Sequence, residues 1–238
     1  ILAAEGVLAK DGDGWIVTRP PESADMRQAS AAVRERYPEI SAEVTLTDRC
    51  GSALADVLRG SVEPITELLF PSNEPITAAS LFRDARASQV LNRLIVSILH
   101  QAMRALPTRR GLRILEVGAG MDGTVTAVVP HLDPARTTYH LADVSGGMFS
   151  DIAAAATRRI REQLAAYSFV SFHTLDLDRD PASQGFAPVS YDVVIAPNIL
   201  HATQDVGRSA GQLRRLLAPG GLLVMIEGTQ AEPWVDLV

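Results

Sequence analysis

Residues 113–124 read Arg-Ile-Leu-Glu-Val-Gly-Ala-Gly-Met-Asp-Gly-Thr, and no other run constrains the fold so tightly. An apolar segment ends in an acid and then breaks into glycines, the pattern of a buried strand running into a tight turn. A helix can begin at Thr124, with unpaired N–H groups at its start that favour an anionic group. The same rhythm repeats downstream. Strands are expected at Leu112–Val117, Thr138–Ala142, Val170–Thr174, Val193–Ala196 and Leu222–Glu227. Helices are expected near Thr124–Leu132, Phe149–Ala166 and Arg208–Leu217, the last closed by Pro219-Gly220-Gly221. Such alternation builds an α/β fold, a doubly wound and mainly parallel sheet covered on both faces. Ligands of these sheets bind beyond the carboxyl ends of the strands, which selects Glu116, Asp143, Asp176, Asn198 and Glu227 as candidates.

Upstream the pattern differs. Lys10-Asp11-Gly12-Asp13-Gly14 is a turn signal, so Trp15–Thr18 is expected as one strand of a small hairpin after a short helical start. Apolar residues recur at helical spacing over Ala24–Tyr37 and Glu39–Leu58, parted by Pro38. A proline-punctuated stretch, Pro64–Pro75, leads to a long helical region over Ala78–Leu106, where Leu91, Leu94, Ile95, Ile98 and Leu99 share one face. The expected division is an N-terminal helical subdomain, a lid, over 1–106 and a ligand-binding core over 107–238.

Composition narrows the function classes. A net charge of −6 gives no electrostatic reason to expect nucleic acid or an anionic membrane as partner. No apolar run approaches the length of a membrane span. Cys50 is the single cysteine, so an internal disulfide and a cysteine zinc cluster are excluded and a reducing cytoplasm is expected. His100, His131, His140 and His173 show no ligand spacing, and no metal is expected. The chain starts at Ile1 and ends at Trp234-Val235-Asp236-Leu237-Val238, which reads as a piece of a longer polypeptide.

A lone Gly-x-Gly is compatible with several nucleotides or with plain structure. Glu116-Val117-Gly118-Ala119-Gly120 followed by an acid after the second core strand, Asp143, and another after the third, Asp176, resembles the class I S-adenosylmethionine-dependent methyltransferases. Several stretches are similar to the C-methyltransferase domains of polyketide synthases: Asp143-Val144-Ser145, Leu175–Pro181, Gln184-Gly185-Phe186, Asn198–Thr203, Leu216–Gly221 and Glu227-Gly228-Thr229. Asp56–Gly60, Glu67–Pro71 and Leu81–Asp84 resemble the N-terminal helical part of that family. The resemblance implies a Rossmann-like methyltransferase fold and S-adenosylmethionine as cofactor. It places the cofactor against Glu116, Gly118, Ala119, Gly120, Asp143, Val144, Asp176, Leu177 and Asn198. Asp143 would take the ribose hydroxyls, whose two donors suit the two oxygens of a carboxylate, and Asp176 would sit by the adenine amino group. The implied reaction is methylation of the α-carbon of a β-ketoacyl thioester on the phosphopantetheine arm of an acyl carrier protein, among neighbouring synthase domains. His201 matches the catalytic base, Glu227 its partner, and Asn198 the same pocket.

The chain departs from the family in four places. Gly118-Ala119-Gly120-Met121-Asp122-Gly123 carries an aspartate where glycine is usual, Phe82 stands in place of a tyrosine, and the segment from Ser145 to Tyr167 is long. Five core strands are expected where the family has seven, a C-terminally truncated core. Asp122 keeps open an inactive domain that retains the fold as a spacer, and an O-methyltransferase of the same assembly lines would use similar residues.

Overall fold

Gly12 adopts φ +58° at the tip of Asp11-Gly12-Asp13-Gly14 and turns β1 (Leu8–Asp11) back on β2 (Gly14–Val17), pairing Leu8 with Val17. Ahead of it residues 2–6 form turns rather than the helical start expected from sequence, with Gly6 at φ +68°. This is a computed structural model, and it describes residues 2–20, 25–71, 74, 76–118, 123–143, 150–230 and 234–235, the side chains of 150–156 excepted. Two units are formed, residues 1–71 with 230–238 and residues 72–229.

In the first unit, α1 (Met26–Arg36) begins at Asp25, whose carboxylate accepts the N–H groups of Arg27 and Gln28 at 3.0 and 3.1 Å. Pro38 opens a single 3-10 turn and leads into α2 (Ser41–Leu58). Asp48 of α2 ties the helices together, accepting Arg34 at 2.5 Å and the Ser30 hydroxyl. Arg49 caps the Leu68 carbonyl at 3.0 Å, at the end of a π turn over Ile65–Leu69.

The second unit opens with α3 (Ala78–Asp84) and α4 (Arg86–Ala105), split at Ala85 by an extended backbone (φ −60°, ψ 140°) inside the expected single helix. Then come β3 (Leu112–Val117), α5 (Gly123–Val128), β4 (Thr137–Asp143), α6 (Ser150–Gln163), β5 (Val170–Thr174), β6 (Tyr191–Pro197), α7 (Val206–Leu216) and β7 (Leu217–Ile226). The strands form one sheet in the order β5-β4-β3-β6-β7 with every neighbouring pair parallel. β3 and β6 are central and almost wholly buried, as parallel strands covered on both faces must be. One face carries Ile95 and Leu99 of α4, Val125 and Val128 of α5 and Ile160 of α6 against Ile114, Tyr139 and Val193. The other carries Leu213 and Leu216 of α7 against Leu115, Val194 and Ala196. Each such fully buried aliphatic side chain contributes roughly 1.5–3 kcal/mol of burial energy. The sheet is therefore doubly wound.

Among the boundaries that differ from the sequence reading, two have a plain local cause. Pro130 stops α5 at Val128, and a 3-10 turn over Val129–His131 replaces the last helical turn expected before Leu132. Extended structure begins at Leu217, before Pro219-Gly220-Gly221, with the pairing jumping from Tyr191↔Leu217 to Val193↔Leu222 and Gly220 at φ +77°. β7 is the last strand of the sheet among the described residues, and its Leu222 and Met225 are 45% and 52% exposed.

Candidate functional site

All five parallel strands end on one side of the sheet, with a polar or glycine residue within two positions of each end. Gly118 follows β3, Asp143 ends β4, Asp176 lies two residues beyond β5, Asn198 follows β6 and Glu227 follows β7. Backbone bonds knit these ends together: Gly118 N–H to Ala142 O at 2.9 Å, Leu175 N–H to Asp143 O at 3.0 Å and Asn198 N–H to Ile226 O at 2.6 Å. Gly118 at φ +92° and Asn198 at φ +53° make the sharp exits. The first requires glycine for a further reason. A Cβ at Gly118 would lie 2.9 Å from Ile199 Cβ, so the loop after β3 and the loop after β6 touch here.

Glu227 organises the loop after β6. One carboxylate oxygen accepts the N–H groups of Ile199 and Leu200 at 3.0 and 2.7 Å, and the other takes His201 Nδ1 at 2.8 Å. The loop continues as a 3-10 turn over Leu200–Ala202, and Thr203 closes it by donating from Oγ1 to Leu200 O at 2.7 Å. The imidazole is 58% exposed and its carboxylate partner 22%. A base oriented from behind by a carboxylate, at the accessible end of the sheet, is suited to moving a proton.

The candidates do not all converge. Glu116, expected at the cofactor, is 2% exposed within β3; it accepts the Tyr139 hydroxyl and the Val125 N–H instead. Burial raises its carboxyl to about 7 against the lowering by those two bonds, and burial beside Glu116 drives the Tyr139 phenol well above its ordinary value. Its reach is to the first turn of α5, not to the strand ends. The side chain of Leu177 is likewise in the core, leaving only its backbone for a ligand. Ala119, Gly120, Asp122 and Val144 lie outside the described residues.

Other contacts carried little sequence signal. Gly123, the first residue of α5, packs so closely that a Cβ would fall 2.2 Å from the Phe82 carbonyl oxygen of α3. Buried Asn92 of α4 donates to Gly123 O at 3.3 Å. Asp178 accepts the Gln204 N–H at 2.9 Å, joining the Asp176 loop to the segment just after His201. The glycine of a Gly-rich run could have been read for close packing; an asparagine inside an amphipathic helix gives no such cue.

The donor chemistry of the strand ends fits a nucleoside-bearing cofactor. Asp143 and Asp176 offer carboxylate acceptors on adjacent strands, beside a glycine that brings bare backbone to the same rim. Comparison with known proteins agrees. Residues 115–223 match the family model described as "Methyltransferase domain". A non-reducing polyketide synthase of Aspergillus terreus is 32% identical over all of this chain, which spans 9% of that protein's length. A hybrid polyketide–nonribosomal peptide synthetase of a Neonectria species is 34% identical over 90% of the chain, which spans 5% of it. Among solved structures, the CurJ carbon methyltransferase superposes with a TM-score of 0.85 at 38% identity, covering 99% of this chain and 60% of that one. The citrinin polyketide synthase CMeT domain gives 0.85 at 28% identity over 99% of this chain and 61% of its own. The trans-methyltransferase CalH, solved in complex with SAH, gives 0.66 at 26% identity, covering 89% of this chain and 56% of its own.

The chain carries a methyltransferase domain with the Rossmann-like fold of the class I S-adenosylmethionine-dependent methyltransferases, and over nearly its whole length it is similar to carbon methyltransferase domains of polyketide synthases. It spans a small part of the curated synthases it matches. Among the described residues, no helix is long and apolar enough to cross a membrane, and no group of three or more His, Cys, Asp or Glu residues could hold a metal ion.

Proposed function

We propose that this domain methylates the α-carbon of a β-ketoacyl thioester presented on the phosphopantetheine arm of an acyl carrier protein, working in the cytoplasm beside other domains of a synthase. The observation that supports this most is the bond between His201 Nδ1 and Glu227 at 2.8 Å, with the other carboxylate oxygen already committed to two backbone N–H groups. Glu227 then holds the proton on Nδ1, and the Nε2 lone pair is the one that can take a proton from substrate. The α-hydrogen of a β-ketothioester lies between two carbonyls, so an imidazole suffices to remove it and leave a carbon nucleophile. Gly118 would let the methionine part approach, Asp143 would accept the ribose hydroxyls, Asp176 would face the adenine amino group, and Asn198 would shape the pocket between cofactor and base. When bound, S-adenosylmethionine supplies a methyl group on a positively charged sulfur. His201 and Glu227 position and deprotonate the acceptor.

The test is product analysis on the intact protein with methyl-labelled S-adenosylmethionine and carrier-bound thioesters. Label at the α-carbon of the β-keto substrate, lost in His201→Ala while cofactor affinity stays within about 2-fold, is the expected result. Label on the oxygen of a β-hydroxy substrate would make it an O-methyltransferase. No turnover of either, with cofactor binding lost, would leave the domain a structural part of its synthase.

A further inference from the structure

Just past β5, Leu175 N–H bonds to Asp143 O on the neighbouring strand, and Asp176 is the next residue. Its backbone is taken up by a side chain. Gln184 Oε1 accepts the Asp176 N–H at 2.8 Å and Gln184 Nε2 donates to the Asp176 carbonyl at 2.8 Å, so the side-chain amide pairs with both backbone groups of Asp176 as a neighbouring strand would. The same Nε2 lies 3.4 Å from the carbonyls of Arg179 and Asp180. From α7, buried Ser209 donates to Leu177 O at 3.2 Å, and Gln212, with its amide nitrogen toward the loop, donates to Leu177 O and Arg179 O at 2.6 and 3.1 Å. The Asp176 carboxylate is itself aimed by the Asp178 N–H at 2.9 Å on Oδ1.

Gln184 is in turn rigid. It ends a 3-10 turn over Pro181–Gln184 that Asp180 caps through the Ala182 N–H, and Gly185 at φ 91° lets the chain reverse so that Phe186 enters the core.

We infer that Gln184 is a positioning residue that sets the domain's preference for adenine, by fixing the Asp176 peptide from which the carboxylate meets the 6-amino group. This rests on the reading of Asp176 given above and adds to it the residue on which that selectivity depends. A carboxylate free to swing can turn from an unwelcome ring and hydrogen-bond to water. One whose peptide is held at both backbone groups by Gln184, so that its Oδ1 stays on the Asp178 N–H, cannot, and a 6-oxo base would set a carbonyl oxygen against it.

The probes are S-adenosylhomocysteine and its 6-oxo analogue S-inosylhomocysteine, titrated calorimetrically into the intact protein and into Gln184→Ala and Gln184→Glu. The parent is expected to prefer the adenosyl compound by roughly 10- to 100-fold, the worth of one hydrogen bond to a charged group. Gln184→Ala is expected to bring the ratio near unity, by relieving the 6-oxo compound and by loosening the bond to the adenosyl one. Gln184→Glu keeps the size and the acceptor for the Asp176 N–H while deleting the donor, so it should lie between. It carries the test if the alanine variant does not fold. Folded variants that keep the parent's ratio would overturn the inference, leaving Gln184 a purely structural residue and the Asp176 reading intact. A parent with no preference would instead overturn the placement of adenine at Asp176, and the role of Gln184 with it.

Discussion

At the scale of single residues, the proposed role of His201 as base depends on which atom of Glu227 faces which donor. Its carboxylate serves three donors, two from the backbone and one from His201. In Glu227→Gln the amide oxygen can keep the Ile199 and Leu200 N–H groups, but the NH2 then faces Nδ1. That nitrogen must accept, so the ring proton moves to Nε2 and no lone pair remains for substrate. Turnover should fall roughly 10²–10⁴-fold with cofactor affinity and melting temperature little changed. Equal loss of affinity would show the residue supports the cofactor instead. Glu227→Ala has a different cost, since two partly buried N–H groups lose their acceptor; destabilisation of about 1–3 kcal/mol in urea unfolding is expected. Gly118→Ala meets two penalties at one position, the left-handed φ of +92° and a Cβ 2.9 Å from Ile199. It should cost about 1–3 kcal/mol of stability and displace the loop bearing His201, which a chemical-shift change at the His201 ring would report.

At the scale of elements, α5 is only six residues long and has little stability of its own, so its place depends on what it touches. Gly123 gives its start to the Phe82 carbonyl and to Asn92, and Glu116 receives the Val125 N–H from beneath. Gly123→Ala puts a methyl 2.2 Å from backbone that cannot rotate away, so α5 must shift as a body. A loss of about 1–3 kcal/mol in stability, with much weaker S-adenosylmethionine binding by calorimetry, is the expected outcome. Normal binding would show that the cofactor loop tolerates the shift. The strands of this layer were legible in the sequence because parallel strands buried on both faces read as continuous apolar runs between glycine and proline breaks. β3 and β5 fall at the expected residues, Leu112–Val117 and Val170–Thr174. The break at Ala85 was not legible, since no glycine or proline marks it. Of the site, the strand-end acids and the His201–Glu227 pairing could be anticipated by type and place. The Gln184 clamp and the Asp178–Gln204 bond could not, because side chains in irregular segments follow no period that would reveal a partner.

At the scale of the whole molecule, two carboxylates inside the sheet unit make stability depend on pH in opposite directions. Asp192, at the amino end of β6, is 9% exposed and is held by Arg110 at 2.5 Å and by the backbone and side chain of Arg113. Burial raises its pKa, but the hydrogen bonds and charges of Arg113 and the charge of Arg110 outweigh that and leave it below the ordinary value. A depressed carboxyl gives stability that is present above its unfolded pKa and is lost as pH falls through the folded one, so Asp192 matters on the acid side. Glu116 is the reverse case. Its folded pKa, raised from 4.5 to about 7, means the folded chain holds a proton that the unfolded chain has released over that interval. Its contribution is full below 4.5 and is lost as pH rises through about 7. Between pH 5 and 8 the unfolding free energy of the parent should therefore decline by about 1–3 kcal/mol on this account. Glu116→Gln keeps the size and an acceptor for Tyr139 and Val125 but cannot titrate. The substitution buries an added NH2 group, so the variant starts from a lower stability and the slope against pH is the informative quantity. Urea unfolding of parent and variant across that range should give curves that converge, or cross, as pH rises, the variant being flatter. Parallel curves would mean that Glu116 holds the same charge in the folded and unfolded chain, and that the tie from β3 to α5 is no weaker at pH 8 than at pH 5.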